Sequence, residues 1–219
     1  MVITAGWRPS GQAARDRGIP GSLLMTRMLL GLALLALLTG QAFANDRQNY
    51  LLFELAVGGD ELVDPNSGRS LNAGELLQVA FGHKFLSDEL PQWRADLRFG
   101  FKFTLIDVDG GEGLFYRFPL EFTLSRNFGE RFSAGLGGSF HLFPTYRLDA
   151  RNVNDEIDFE DAFGWLAQLE YQTNESFALG LRYLDINYDK DGARFQLPNG
   201  NNVSEIDGAS TGLYMTYSF

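Results

Sequence analysis

From residue 93 to residue 105, apolar and polar side chains alternate without a break. Trp93, Ala95, Leu97, Phe99, Phe101, Phe103 and Leu105 fall on one face of an extended chain; Arg94, Asp96, Arg98, Gly100, Lys102 and Thr104 fall on the other. Successive side chains of a strand point to opposite sides of its sheet, so a period of two predicts a strand with two unlike faces. The pattern recurs. Leu114, Tyr116, Phe118, Leu120, Phe122 and Leu124 alternate with Arg117, Pro119, Glu121 and Thr123. Phe132, Ala134, Leu136, Phe140 and Leu142 alternate with Ser133, Gly135, Gly137, Ser139 and His141. Phe163, Trp165, Ala167, Leu169 and Tyr171 stand against Gly164, Leu166, Gln168 and Glu170, and Leu213, Met215, Tyr217 and Phe219 against Gly212, Tyr214, Thr216 and Ser218.

Three further strands, about 50–58, 75–85 and 176–188, are less regular. The last drifts after Tyr183, where Asp185 falls on the apolar face. The count is eight. The connections alternate in length: 86–92, 125–130 and 172–175 are short, whereas 59–74, 107–113, 144–161 and 189–207 are longer and polar. Short turns at one end and long loops at the other are the pattern of outer-membrane barrels. An even strand number puts both termini at the short-turn end, expected to be periplasmic, and the drift at Asp185 is expected to mark that strand leaving the membrane.

Which face meets lipid follows from what each face carries. In a secreted lipocalin-like barrel the apolar face would point inward, and the interior would have to hold many rings. Here the apolar faces are tall and rich in Phe, with Trp93, Tyr116, Tyr171 and Tyr217 towards strand ends, like the aromatic girdles of membrane barrels. The other face carries Arg94, Asp96, Arg98, Lys102, Arg117, Glu121, Glu170 and Arg182. A closed barrel also leaves no backbone group unpaired in lipid. The expected fold is therefore all-β: an eight-stranded antiparallel up-and-down transmembrane β-barrel over residues 45–219.

A leader precedes it. Met25, Arg27 and Met28 make a short basic start, 29–38 an apolar run, and Ala42-Phe43-Ala44 an A-x-A ending. This reads as a signal peptide over 25–44 with cleavage after Ala44 and export by the general secretory route. The run is too short for a spanning helix, which needs about 20 residues. Residues 1–24, with Pro9, Pro20 and scattered Arg, do not fit a signal peptide's first segment, and the true start is expected at Met25.

Composition narrows the chemistry. There are no cysteines, so no disulfide, thiolate metal site or cysteine nucleophile, and two histidines, His83 and His141, are too few for a His-rich metal site; no cofactor or metal is expected. The chain carries a net −10. Four bases and one acid precede Asn45, so the remainder keeps 14 bases and 27 acids, a balance that repels nucleic acid.

Antiparallel pairing around the 107–113 connection sets Arg98 opposite Glu121 and Lys102 opposite Arg117. Around the 125–130 turn the same reasoning sets Glu121 beside Gly135, Pro119 beside Gly137 and Arg117 beside Ser139, with the glycines making room for long side chains. The expected interior polar network is Glu54, Lys84, Arg94, Asp96, Arg98, Lys102, Arg117, Glu121, Glu170 and Arg182, joined by Phe115 and Tyr214 as bulky fillers. Eight strands enclose only enough room for side chains, so these groups are expected to plug the lumen. Ser139 and His141 share the inward face, but a Ser-x-His spacing without an acid partner is a weak catalytic signal. His83 is expected on the lipid face near the rim. Asp107-Val108-Asp109-Gly110 and Asp189-Lys190-Asp191-Gly192 lack the closing Glu of a calcium loop and read as Asp-Gly turns. Asp149, Asp155, Glu156, Asp158, Glu160 and Asp161 make the third long connection acidic, which leaves open a divalent-cation bridge to lipopolysaccharide phosphates.

The chain ends Leu213-Tyr214-Met215-Thr216-Tyr217-Ser218-Phe219. An alternating last strand closed by Phe resembles the assembly signal of outer-membrane barrels, with Tyr217 and Phe219 as its residues. With the signal peptide and strand pattern, the mature chain resembles the small eight-stranded family that includes the OmpA transmembrane domain and OmpW-type proteins. The resemblance implies periplasmic chaperones and the barrel-assembly machinery as partners in biogenesis, then outer-membrane lipids and lipopolysaccharide around a monomer. Nothing after Phe219 corresponds to OmpA's wall-binding module, so cell-wall anchoring is not expected. The leading functional expectation is a non-enzymatic structural or surface-interaction protein. A narrow, OmpW-like conduit for small or hydrophobic molecules is the alternative, and a lipid A-modifying enzyme the third.

Overall fold

A computed structural model describes residues 48–60, 72–108, 111–150, 153–189, 195–196, 202–203 and 205–219. Segment 1–24, the signal peptide and its cleavage residues Ala42 and Ala44 lie outside the described residues. The strands are β1 (Asn49–Val57), β2 (Leu76–Leu86), β3 (Trp93–Val108), β4 (Gly111–Phe128), β5 (Phe132–Ala150), β6 (Val153–Asp158), β7 (Ala162–Gln172), β8 (Phe177–Asp189), β9 (Phe195–Gln196), β10 (Asn202–Val203), β11 (Glu205–Asp207) and β12 (Ser210–Ser218).

Every pairing is antiparallel, and the sheet closes where β12 pairs β1 from Tyr50↔Ser218 to Val57↔Thr211. Two of the eight staves are broken. β7 and then β6 pair successive stretches of β5, and β12 and then β11 pair successive stretches of β8. The result is a closed eight-stranded up-and-down barrel. Through the lipid belt, from β1 round to β12, every strand is paired on both sides, the condition for a sheet to stand in lipid; of this sheet, only the short β6 and β11 above the belt keep an unpaired side among the described residues.

A belt of large apolar side chains covers the outside. Leu55, Leu136, Trp165 and Leu213 are each about two-thirds exposed, and Phe122, Phe132, Leu169 and Leu179 more than half. Exposed apolar area on this scale is unstable in water and stable in hydrocarbon. His83 belongs to this outer face: its ring packs edge-on against Phe85 at 4.7 Å, and its Nδ1 lies 2.8 Å from Asn49 Oδ1.

Three sequence expectations need correction. First, the connections taken as long polar loops at 107–113 and 144–161 are mostly wall. β3 runs to Val108, β4 starts at Gly111, and β5 continues to Ala150 before β6 returns along it. Alternation persists there with its polarity reversed: Tyr146 and Ile157 are buried inside, while Arg147 and Glu156 stand outside as an ion pair at 3.4 Å. β8 reverses likewise, with Leu184, Ile186 and Tyr188 buried within and Asp185, Asn187 and Asp189 exposed. Beyond the lipid belt the wall meets water, so polar residues face outward and apolar ones fill the interior, as in a soluble barrel.

Second, the β4–β5 turn is tighter and later than expected. Phe128 pairs Phe132, and the turn is Gly129-Glu130-Arg131, opened by Gly129 at φ 71°. A three-residue hairpin of this kind needs a left-handed residue, which glycine takes without a Cβ clash. Third, the register therefore moves by four: Glu121 pairs Ser139, Pro119 pairs His141, Ser125 pairs Gly135 and Thr123 pairs Gly137. Gly135 lies against Thr123, Ser125 and Gln168 and makes no room for a charged chain. The charged neighbour of a glycine is Glu54, beside Gly212.

Between Tyr116↔Thr145 and Phe118↔Leu142 the register shifts, so Arg117 faces two residues, Phe143 and Pro144. Phe143 sits at φ 52°, and its N–H donates to Asp161 Oδ1 at 2.8 Å. Such a bulge bends and twists the strand. It lies where the wall passes from lipid-facing to water-facing polarity.

Candidate functional site: the filled lumen

All ten residues expected in the interior polar network are buried inside the barrel, on the inward parity of β1–β4, β7 and β8. They form two layers. Towards the short-turn end, Arg94 holds two carboxylates, with Nε 3.0 Å from Asp96 Oδ2 and Nη2 3.0 Å from Glu170 Oε1. Lys84 Nζ donates to Ser218 Oγ at 2.9 Å and lies 5.1 Å from the centre of the Tyr50 ring. Tyr214 donates to Glu170 Oε2 at 3.3 Å. The rings of Tyr50 and Tyr214 lie flat against Gly82 and Gly180, where a Cβ would collide with them. Each glycine is the ring's register partner on the neighbouring strand, and its missing side chain lets the ring lie down along the wall.

The middle layer turns on Glu121 and Glu54. Arg98 Nε lies 3.3 Å from Glu121 Oε2, and the two are register partners, as the pairing argument expected. Arg182 bonds both carboxylates, through Nη1 to Glu54 Oε2 at 2.6 Å and through Nη2 to Glu121 Oε1. Lys102 Nζ stands 3.6 Å from Glu54 Oε1. Arg98 also donates to Gln168 Oε1 at 2.9 Å and to Thr123, and Gln78 donates to Glu121 at 3.4 Å. A buried ion pair is tolerable only when further hydrogen bonds satisfy its remaining groups, and Gln78, Thr123 and Gln168 supply some of them.

Above the carboxylates the lumen becomes apolar. Phe115, Tyr146, Ile157, Phe159, Ile186, Tyr188 and Ile206 belong to one buried cluster. Tyr188 meets Phe115 edge-on at 5.7 Å, and Phe159 meets Phe115 at 6.0 Å. Arg117 marks the boundary: its guanidinium lies 4.8 Å from the Phe115 ring centre and 5.0 Å from that of Tyr188, and Nη1 donates to Ala73 O at 2.9 Å. Lys102 and Arg117 are register partners, as expected, but each turns to different company.

Ser139 and His141 are fully buried and engaged separately. Ser139 donates to Glu121 at 3.3 Å, and His141 Nδ1 lies 2.6 Å from the Tyr188 hydroxyl. A nucleophile needs its base within hydrogen-bond reach and access for substrate; this pair has neither arrangement. Among the described residues no group of three His, Cys, Asp or Glu is placed to hold a metal ion.

Several members of the network escaped the sequence reading: Gln78, Thr123, Gln168 and Ser218 share the inward parity but are uncharged. Tyr188 lies beyond the reversal at Asp185, where apolar residues face inward, so the lower-wall rule does not place it in the lumen.

No family model matches the chain, and no curated protein matches it. Among solved structures, that of Neisserial surface protein A superposes with a TM-score of 0.51 at 9% identity, over 78% of this chain and 97% of that one. Ail, the attachment invasion locus protein of Yersinia pestis, in its complex with the heparin analogue sucrose octasulfate, aligns at a TM-score of 0.49 and 11% identity, over 80% of this chain and 100% of that one. At such identities the likeness is one of fold: the chain has the fold of the small eight-stranded outer-membrane barrels.

Proposed function

We propose that this protein is a non-enzymatic integral outer-membrane barrel with a structural or surface-interaction role and a lumen that does not conduct. The observation that carries this reading is the double filling of the interior, ion-paired below and apolar above. A water column needs a continuous polar path, and the cluster around Phe115 and Tyr188 interrupts it. An OmpW-like conduit for hydrophobic molecules would need an opening in the wall, whereas β12 and β1 pair over eight consecutive positions. A lipid A-modifying role would need Ser139 and His141 at the lipid face, whereas both point inward.

In this reading the long-loop end stands outside the cell, where its acidic outer wall faces lipopolysaccharide and surface partners. Trypsin added to intact cells is expected to cut at the long-loop connections, which contain Arg69, Arg151, Lys190 and Arg194, and to spare Arg131 in the opposite turn. Cleavage at Arg131 with the other sites protected would invert the topology and remove the surface role.

Tyr217 and Phe219 are proposed as the element read by the assembly machinery. They lie on the outer face of the closing stave: Tyr217 packs on Phe177 at 4.9 Å, Phe219 on Phe81 at 6.4 Å, and the Phe219 N–H donates to Asn49 O at 3.0 Å. Deleting Phe219 is expected to lower the heat-modifiable folded form in outer-membrane fractions several-fold at low expression. Undiminished assembly at both low and high expression would sink the assignment.

A further inference from the structure

Among the described residues, the middle layer of the lumen holds more positive charge than its own carboxylates neutralise. Arg98, Lys102, Arg117 and Arg182 are all buried there, and the anions among them are Glu54 and Glu121. Both anions are already engaged: Arg182 bonds each, Arg98 lies on Glu121, and Lys102 approaches Glu54 only to 3.6 Å, beyond the usual 2.7–2.9 Å of a charged hydrogen bond. Among the described residues no carboxylate lies within ion-pair reach of Arg117; its company is two ring faces and one carbonyl. The layer below needs no such help, since Lys84 and Arg94 are matched there by Asp96 and Glu170.

Among the described residues, Arg98 Nε, Arg182 Nε, Arg117 Nε and Nη2, Lys102 Nζ and His141 Nε2 are each buried and have no hydrogen-bond partner, and of these Lys102 and Arg117 are the cations least answered by carboxylates. Lys102 and Arg117 are direct register partners on adjacent strands. Arg117 meets the ring of Tyr188 and His141 meets its hydroxyl, so Lys102, Arg117 and His141 border one region of the lumen. A buried cation left unpaired is costly, and an anion placed among free N–H donors relieves both the charge and the hydrogen-bond deficit. The aromatic rings above would keep bulk water from competing with it.

We propose that this position is a binding site for one small monovalent inorganic anion of the halide class, held between Lys102 and Arg117 beneath the Phe115 and Tyr188 rings. Bound there, the ion is part of the lumen's filling rather than cargo, and it makes barrel stability depend on the identity of the salt and not only on ionic strength. Any ligand that binds only the folded state raises apparent stability with its concentration, up to the limit set by its affinity.

The test uses the mature protein folded in detergent. Sodium gluconate is replaced stepwise by sodium chloride or sodium bromide at constant ionic strength, and the urea unfolding midpoint is followed. The midpoint is expected to rise with halide concentration at the slope of a single bound ion. Lys102→Met is expected to abolish that rise while folding in gluconate. Crystals grown in bromide should show an anomalous peak between Lys102 and Arg117, a readout that decides the matter even where the variant does not fold. Equal midpoints in gluconate and halide overturn the site, as they would if Lys102 were carried as a neutral amine. A halide response undiminished in Lys102→Met, or a bromide map without a peak there, also overturns it.

Discussion

Replacing Glu121 with glutamine is expected to destabilise the barrel by on the order of 3–5 kcal/mol, the cost of leaving a buried charge without its partner. Glu121 is fully enclosed and answers both Arg98 and Arg182, while Gln78 and Ser139 donate to it. Removing its charge leaves Arg98 without a carboxylate and Arg182 with one in place of two, in a layer already rich in cations. The urea midpoint of the folded barrel in detergent reads the loss. Exchanging Arg98 and Glu121 together for a packed neutral pair is expected to restore part of it, because the stranded cation goes as well. Recovery stays incomplete because Arg182 keeps only Glu54. Strictly additive losses in that cycle would mean that Arg98 and Glu121 do not interact.

A substitution one residue away from an innocuous one carries the second large effect. Ile186→Asp is expected to cost about 3–5 kcal/mol, since it puts an unpaired carboxylate into the apolar upper cluster. Asp185→Leu should move stability by no more than about 0.5 kcal/mol, because Asp185 is exposed on the water-facing part of the wall. Both variants are scored by the same unfolding midpoint. On the lower wall the expected signs are opposite, with a charge tolerated inside and rejected outside. If Asp185→Leu proved costly and Ile186→Asp silent, the reversal of polarity above the belt would be wrong.

The parts of this fold legible in the sequence are those where lipid on one side and a filled lumen on the other enforce a single rule. Along β3 and the lower part of β4, every second residue is apolar and nearly all of these are large, and parity alone puts Arg94, Arg98, Lys102 and Glu121 inside. Beyond the belt the period stays two but the rule inverts. The sequence around Tyr146, Arg147, Glu156 and Ile157 therefore reads as a polar loop although it forms wall. Its acidic residues are the outward, water-facing half of the alternation, and Tyr146 and Ile157 are the inward half.

Register along the wall was legible only where the turn was centred correctly. Arg98 opposite Glu121 followed from the β3–β4 hairpin. The β4–β5 hairpin, with its turn displaced towards Gly129-Glu130-Arg131, misplaced the partners of Gly135, Gly137 and Ser139. Contacts across the lumen were not legible at all. Glu54 and Arg182 are 128 positions apart and meet because the barrel is narrow, and strand pairing says nothing about which inward groups face one another over the gap. The same limit concealed the shortage of anions around Lys102 and Arg117, since a list of inward charges does not show which of them share a layer.

The sealed lumen is the central claim, and the most direct measurement of it is current through single purified monomers in a planar bilayer. Eight strands leave room only for side chains, and here those side chains are cross-linked by ion pairs below and close-packed as rings above. The predicted record shows no steady open level, at either polarity, beyond brief low-amplitude noise. A reproducible large open-channel current from wild-type monomers would contradict the sealed barrel and establish a conducting path past Glu121 and Tyr188.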